Sequence, residues 1–193
     1  SFLGAHRIAV DHCDEACEIE ADFFVIATGS MPARPESIPF DDTSIFDSET
    51  FLQIPALPRS LLIIGAGVVG VEYACMTAAL GIPTVLVDKR ASMLGFLDRE
   101  IVEDLKFHME GMGIAFHFGD DVAAIRKAES GCVLAELASG ETLQADMLLY
   151  CVGRKGNTAD LCLEKAGLNA DGRGRIQVNE HYQTPTPHIF AAG

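Results

Sequence analysis

The run Leu61-Leu62-Ile63-Ile64-Gly65-Ala66-Gly67-Val68-Val69-Gly70, with Asp88 placed 23 residues after Gly65, constrains the fold more than any other feature of the chain. Four apolar residues read as a buried strand, and three glycines in G-x-G-x-x-G spacing read as the turn that follows it. Val68 to Leu80 then reads as a helix with an apolar face. Gly81-Ile82-Pro83 ends that helix, and Thr84-Val85-Leu86-Val87 forms a second strand closing on Asp88. The three glycines serve different ends. Gly65 permits the tight turn, Gly67 lets backbone approach a pyrophosphate, and Gly70 lets helix pack on strand. The N–H groups opening the helix, Val68 and Val69 included, supply donors and positive dipole for phosphates. The order strand, turn, helix, strand, acid is that of a dinucleotide-binding unit.

The end of the second strand carries a further implication. A carboxylate at Asp88 accepts from the 2′- and 3′-hydroxyls of a ribose and repels a 2′-phosphate, which favours NAD. A nearby arginine does the opposite through charge-assisted hydrogen bonds of about 1.5–3 kcal/mol each. Asp88-Lys89-Arg90 places both chemistries within three residues, an arrangement poor at strict discrimination and compatible with use of both NAD and NADP. A solvated loop starting at Lys89 and Arg90 is the alternative.

Composition narrows the remaining classes. A net charge of −14 argues against nucleic acid and anionic membrane surfaces as partners. No apolar run approaches the roughly 18 residues of a membrane span, and Ser1 to Ala9 lacks the apolar core of a signal peptide. The six cysteines include no C-x-x-C pair; Cys75 and Cys151 fall in apolar patterns, Cys13-x-x-x-Cys17 reads as a solvated turn, and a reducing cytoplasm is expected. No metal-ligand cluster is evident, His108 and His117 are isolated, and Asp41-Asp42 and Asp120-Asp121 read as turn residues. The chain begins without Met and ends on the strand-like Ile189-Phe190-Ala191-Ala192-Gly193, so it reads as a segment of a longer protein.

Along the chain, His6–Val10 and Cys17–Ile26 read as strands, and Met31 to Pro35 with Pro39 as a linker. Ser48 is the expected N-cap of a short helix through Ile54. Asp98 is the expected N-cap of a second long helix whose Val102, Leu105, Met109 and Met112 form one stripe. Ile114, Phe116 and Phe118 alternate as a strand, followed by strands near Val122–Ile125, Cys132–Leu137 and Ala145–Val152. The expected fold class is α/β, a Rossmann-like βαβαβ unit plus an antiparallel meander.

The series Ala27-Thr28-Gly29-Ser30-x-Pro32, Gly65-x-Gly67-x-x-Gly70-x-Glu72, Gly153-Arg154-x-Gly156-Asn157-Thr158 and Ile189-Phe190-Ala191-Ala192-Gly193 resembles, in this order, the pyridine nucleotide–disulfide oxidoreductases. These flavoproteins have two dinucleotide-binding domains and include dihydrolipoamide dehydrogenase. The resemblance implies an NAD(P) domain at 46–160 inserted between FAD-domain pieces at 1–45 and 161–193. It implies a role for Thr28 and Gly29 near FAD, for Gly153 near the nicotinamide, and for Glu72 in positioning nicotinamide against flavin. A helix-dipole carboxylate is the plainer reading of Glu72, and a simple turn glycine that of Gly153. The resemblance also implies that the FAD-binding glycine motif, any redox cysteine pair and a dimerisation domain lie outside these residues, and that the full-length parent is a homo-oligomer.

Gly156 stands where most members carry proline. Together with Asp88-x-Arg90 and Leu94-x-Phe96-Leu97-Asp98 it is similar to the soluble, Si-specific transhydrogenase branch, which passes hydride between NADPH and NAD through FAD. A dihydrolipoamide dehydrogenase-like disulfide reductase remains the alternative, as does a nucleotide-binding module without turnover of its own.

Overall fold

The computed structural model describes residues 1–12 and 15–193, so Cys13 of the expected turn lies outside the described residues. Its strands are β1 (Phe2–Gly4), β2 (Arg7–His12), β3 (Glu15–Glu20), β4 (Phe24–Ile26), β5 (Ser30–Pro32), β6 (Ile45–Asp47), β7 (Leu61–Ile64), β8 (Thr84–Asp88), β9 (Ile114–Phe118), β10 (Val122–Lys127), β11 (Val133–Leu137), β12 (Thr142–Ala145), β13 (Met147–Tyr150), β14 (Arg154–Gly156) and β15 (Ile189–Ala191). The α-helices are α1 (Val68–Ala79) and α2 (Arg99–Gly111). Contacts divide the chain into two units, residues 32–153 and residues 1–31 with 154–193.

The unit at 32–153 is built on a five-stranded parallel sheet in the order β6-β13-β7-β8-β9. Strand alternation sorts its apolar residues onto two faces. Leu61 and Ile63 of β7, Leu86 of β8 and Leu149 of β13 pack with Val71 and Ala74 of α1 and Val102 and Met109 of α2. Leu62, Ile64, Val87 and Leu148 point the other way, onto Ile125, Val133, Ala135 and Leu137 of the antiparallel β10-β11-β12 meander. A parallel strand covered on both faces must be apolar throughout, which is why β7 reads as an unbroken run and all four of its residues are buried. This is the α/β, Rossmann-like arrangement that the strand–turn–helix pattern predicts.

Several local expectations shift. The stretch Ala145–Val152 is two strands: β12 ends the meander, and β13 returns to the parallel sheet after Asp146, whose carboxylate is held by Arg59 at 2.7 Å. Cys17–Ile26 likewise divides into β3 and β4. The short helix near Ser48 is a single 3-10 turn at Thr50–Gln53, and its N–H groups are held by Asp47, which accepts from Glu49 and Thr50 at 2.8 and 2.9 Å. Asp98 caps α2 as expected, accepting from Glu100 N at 2.9 Å. Met112 falls beyond the end of α2 and is exposed, so the buried stripe ends at Met109.

The compact unit at 32–153 does not coincide in extent with the 46–160 of the expected inserted domain. Residues 32–45 belong with the sheet because Ile38 and Phe40 pack against the meander-side core, Lys127 holds Asp41 at 2.8 Å, and Arg34 reaches both Asp42 and the buried Asp47. Residues 154–160 belong to the other unit, where Gly156 N donates to Arg173 O at 2.7 Å, Asn157 N to Gly29 O at 3.0 Å and Thr158 Oγ1 to Gly174 O at 2.9 Å.

The unit of residues 1–31 and 154–193 contains the antiparallel sheet β1-β2-β3 and a parallel pair β4-β15 with Phe24 opposite Ile189. Its core is Phe2, Ile26, Leu163, Ala166, Leu168 and Ile189. Gly156 and Gly174 lie backbone against backbone: a Cβ on Gly156 would stand 2.1 Å from Gly174 O. Proline, common here in the family the sequence resembles, is excluded by that approach and by the N–H that Gly156 donates to Arg173.

Candidate functional site

The glycine turn connects β7 to α1 at the carboxyl edge of the parallel sheet, where open α/β sheets bind ligands. Its three glycines fall into two kinds. A Cβ on Gly65 would lie 2.9 Å from Cys151 O, and one on Gly70 would lie 1.8 Å from Gly65 O. Both positions are glycine because backbone occupies the space. Gly67 is different. Its φ of −81° suits any residue, and a Cβ there meets nothing within 4 Å. Among the described residues, neither backbone conformation nor a neighbouring atom requires this glycine.

The turn is pinned from behind. Ala66 N donates to Asp88 Oδ2 at 2.7 Å, and Ala66 O accepts from Leu94 N at 3.2 Å. The helix ladder begins with Val71 N on Gly67 O at 3.0 Å, so the N–H groups of Val68, Val69 and Gly70 lie ahead of the first intrahelical donor, as at any helix N-terminus. Unpaired N–H groups at a helix N-terminus are the kind of donors that anions accept from.

Asp88 ends β8 and is 6% exposed. Its Oδ1 accepts from Arg90 N at 2.8 Å and Arg90 Nε at 2.9 Å, and its Oδ2 accepts from Ala66 N and, at 2.6 Å, from Arg90 Nη2. Burial alone would raise the Asp88 pKa, but the Arg90 side chain and the two backbone donors outweigh it and hold the carboxyl below its ordinary value. The same pairing raises the Arg90 pKa. The sequence leads one to expect two separate groups, an acid for hydroxyls and a cation for phosphate; the structure joins them. Lys89 is exposed beside them. Gly119 N, just past β9, bonds both Asp88 O and Arg90 O at 3.0 Å and fixes the backbone of this loop.

Gly153 follows β13 with φ +84°, a conformation that selects glycine. Glu72 is exposed on α1. Thr28 and Gly29 lie in the other unit, where they line a cavity of about 460 Å³ with Arg154, Arg173 and Arg175 on its walls. Arg154 donates from Nε to Ser30 Oγ at 2.8 Å, and Arg175 pairs with Asp171 at 2.7 Å. Three guanidinium groups around one cavity suit a phosphate-bearing ligand. Sequence reasoning misses this grouping of Arg154, Arg173 and Arg175. Arg173 and Arg175 sit in a loop that the backbone bond from Gly156 N to Arg173 O brings beside β14, and only the resemblance at Arg154 hints at it.

Among the described residues no group of three His, Cys, Asp or Glu is placed to hold a metal ion, and no helix is long and apolar enough to cross a membrane. Cys17, Cys75, Cys132, Cys151 and Cys162 are free thiols.

With this geometry in view, comparison with known proteins defines the class. The pyridine nucleotide-disulphide oxidoreductase family profile matches residues 2–193, and the chain belongs to that family. Similar curated proteins include the soluble pyridine nucleotide transhydrogenase of Mycobacterium bovis (strain BCG / Pasteur 1173P2), 43% identical over the whole chain, and that of Chromohalobacter salexigens, 45% identical over the whole chain. The chain spans 41% and 42% of their lengths. Among solved structures, the Cu(II) complex of the HOCl-induced flavoprotein disulfide reductase RclA of Escherichia coli matches with a TM-score of 0.91 at 28% identity, covering 100% of this chain and 43% of that one. LpdA of Mycobacterium tuberculosis matches with a TM-score of 0.91 at 28% identity over 97% of this chain and 41% of that one.

Proposed function

We propose that this chain is the NAD(P)H-binding portion of a FAD-dependent oxidoreductase that moves hydride between NADPH and NAD by way of the flavin. The observation that carries the nucleotide reading is Gly67, a glycine that neither backbone conformation nor packing requires, at the mouth of a helix N-terminus. In this reading the N–H groups of Val68, Val69 and Gly70 hold the pyrophosphate, Asp88 and Arg90 meet the 2′ position of the adenine-side ribose, and Gly153 gives backbone access beside the nicotinamide. Glu72 helps place the nicotinamide, and Thr28, Gly29 and Arg154 lie along the FAD. The bound nicotinamide and flavin supply the redox chemistry; the protein supplies position, and hydride transfer needs the reacting atoms roughly 3–3.5 Å apart.

The transhydrogenase reading is supported by relatives of that name at 43–45% identity, and by Asp88 and Arg90, which set an acid suited to a ribose diol beside a cation suited to a 2′-phosphate. A disulfide reductase is the second reading, supported by structural neighbours of that name at 28% identity. Titration of the chain with NADH and NADPH, followed by nicotinamide fluorescence, tests the nucleotide site. Reduction of thio-NAD by NADPH in the complete flavoprotein tests the reaction. Absence of binding at millimolar nucleotide refutes the first claim; binding without thio-NAD reduction refutes the second and favours the reductase.

A further inference from the structure

An ionised carboxylate has about four acceptor positions on its two oxygens. At Asp88 all four are used: Arg90 N and Nε on Oδ1, Ala66 N and Arg90 Nη2 on Oδ2. A ribose hydroxyl therefore finds no open acceptor on Asp88 while Arg90 sits there. A 2′-phosphate likewise meets a guanidinium already committed to a carboxylate.

The two partners differ in their freedom to move. Asp88 is buried and tied to the glycine turn, whereas the Arg90 side chain is 52% exposed. The loop backbone is held at Arg90 O by Gly119 N, so Arg90 can release Asp88 by side-chain rotation alone, leaving cradle and strand in place.

We propose that Arg90 is an intramolecular competitor for the ribose site, a latch that both nucleotides must open and that sets the balance between them. This rests on the nucleotide-binding reading above. NAD opens the latch by substituting its diol for the guanidinium on Asp88. NADP opens it by drawing the guanidinium onto the 2′-phosphate. The same two side-chain hydrogen bonds are broken in either case, so the resting pair penalises both ligands together and neither is excluded. Arg90 thus opposes NAD binding and supports NADP binding; Asp88 does the reverse.

The test is fluorescence titration of NADH and NADPH into the wild-type chain, Arg90→Gln, Arg90→Lys and Asp88→Asn, with circular dichroism to check folding. Arg90→Gln is expected to tighten NADH by about fivefold, the size of an ion pair lying partly in solvent, and to weaken NADPH by about tenfold. Arg90→Lys, which keeps the charge but loses the planar fork, falls between wild type and Gln for NADH. Asp88→Asn shifts the two ligands in the opposite directions. Unchanged or weaker NADH binding in Arg90→Gln, with wild type binding both nucleotides, overturns the latch and leaves the nucleotide site standing. Failure of wild type to bind either nucleotide overturns both.

Discussion

Replacing Gly67 and Gly70 by alanine, one at a time, separates a glycine kept for a ligand from one kept for the fold. At Gly70 the new Cβ would stand 1.8 Å from Gly65 O, far inside any tolerable contact. The obstacle is backbone, so α1 must move off β7. Overpacking of this kind costs about 1–3 kcal/mol, and the rigidity of a strand–turn–helix places it at the upper end, lowering Tm by about 6–12 °C. At Gly67 the new Cβ meets nothing within 4 Å and φ is −81°. Alanine there gains about 0.4–1 kcal/mol through the unfolded chain and loses a similar amount because it is a poor N-cap. The net change is under about 1 kcal/mol, or less than about 4 °C in Tm. The methyl nevertheless stands where the pyrophosphate would lie, and NADH affinity should fall by about tenfold or more, equivalent to about 1.4 kcal/mol. Melting followed by circular dichroism suits a chain without tryptophan, and NADH fluorescence reads the binding. Gly67→Ala binding NADH within about twofold of wild type, or melting as badly as Gly70→Ala, would refute the reasoning.

Three further outcomes are expected. Asp98→Ala removes the N-cap of α2 and should lower stability by about 1 kcal/mol in urea unfolding, with no change in nucleotide affinity. The Asp88 carboxyl titrates below its unfolded value, so its contribution to stability is complete above about pH 4 and is lost as the pH falls through the depressed native pKa; urea midpoints at about pH 7 and about pH 3 should differ less in Arg90→Gln than in wild type. The Cys151 thiol is pushed up to about 12 by burial, with the nearby Asp47 adding to the shift. At about pH 8.5 its thiolate fraction is about a thousandfold below that of an ordinary cysteine, so iodoacetamide should spare Cys151 in the native chain and modify it in urea.

Periodicity makes the doubly covered sheet legible, because β7 and β8 are apolar on both faces and α2 announces itself through Asp98 and its stripe. The break at Asp146 is not legible: a single residue separates β12 from β13, and only pairing to two different sheets divides them. Strand β6, three residues beside a proline-rich connection, carries no periodicity of its own and exists because β13 offers it an edge. At the candidate site the cradle is visible as glycine spacing, yet spacing cannot tell Gly67 from Gly70, a distinction that depends on what stands opposite each Cβ. The residues Asp88 and Arg90 are both evident; that they occupy one another follows only from the loop geometry held by Gly119.

The unit formed by residues 1–31 and 154–193 is discontinuous in sequence, and that has a consequence in time. On the ribosome its first part emerges long before its second, separated by the 122 residues of the parallel-sheet unit, 32–153. At about 5–20 residues per second the delay is roughly 6–24 s, far longer than the folding of most small domains. Through that interval β4 has no β15 to pair with, and Phe2 and Ile26 have no Leu163, Leu168 or Ile189 to cover them. The nascent chain thus completes its glycine turn and parallel sheet while the earlier segment is still waiting for its other half, and it is during this wait that a chaperone would find its uncovered apolar residues.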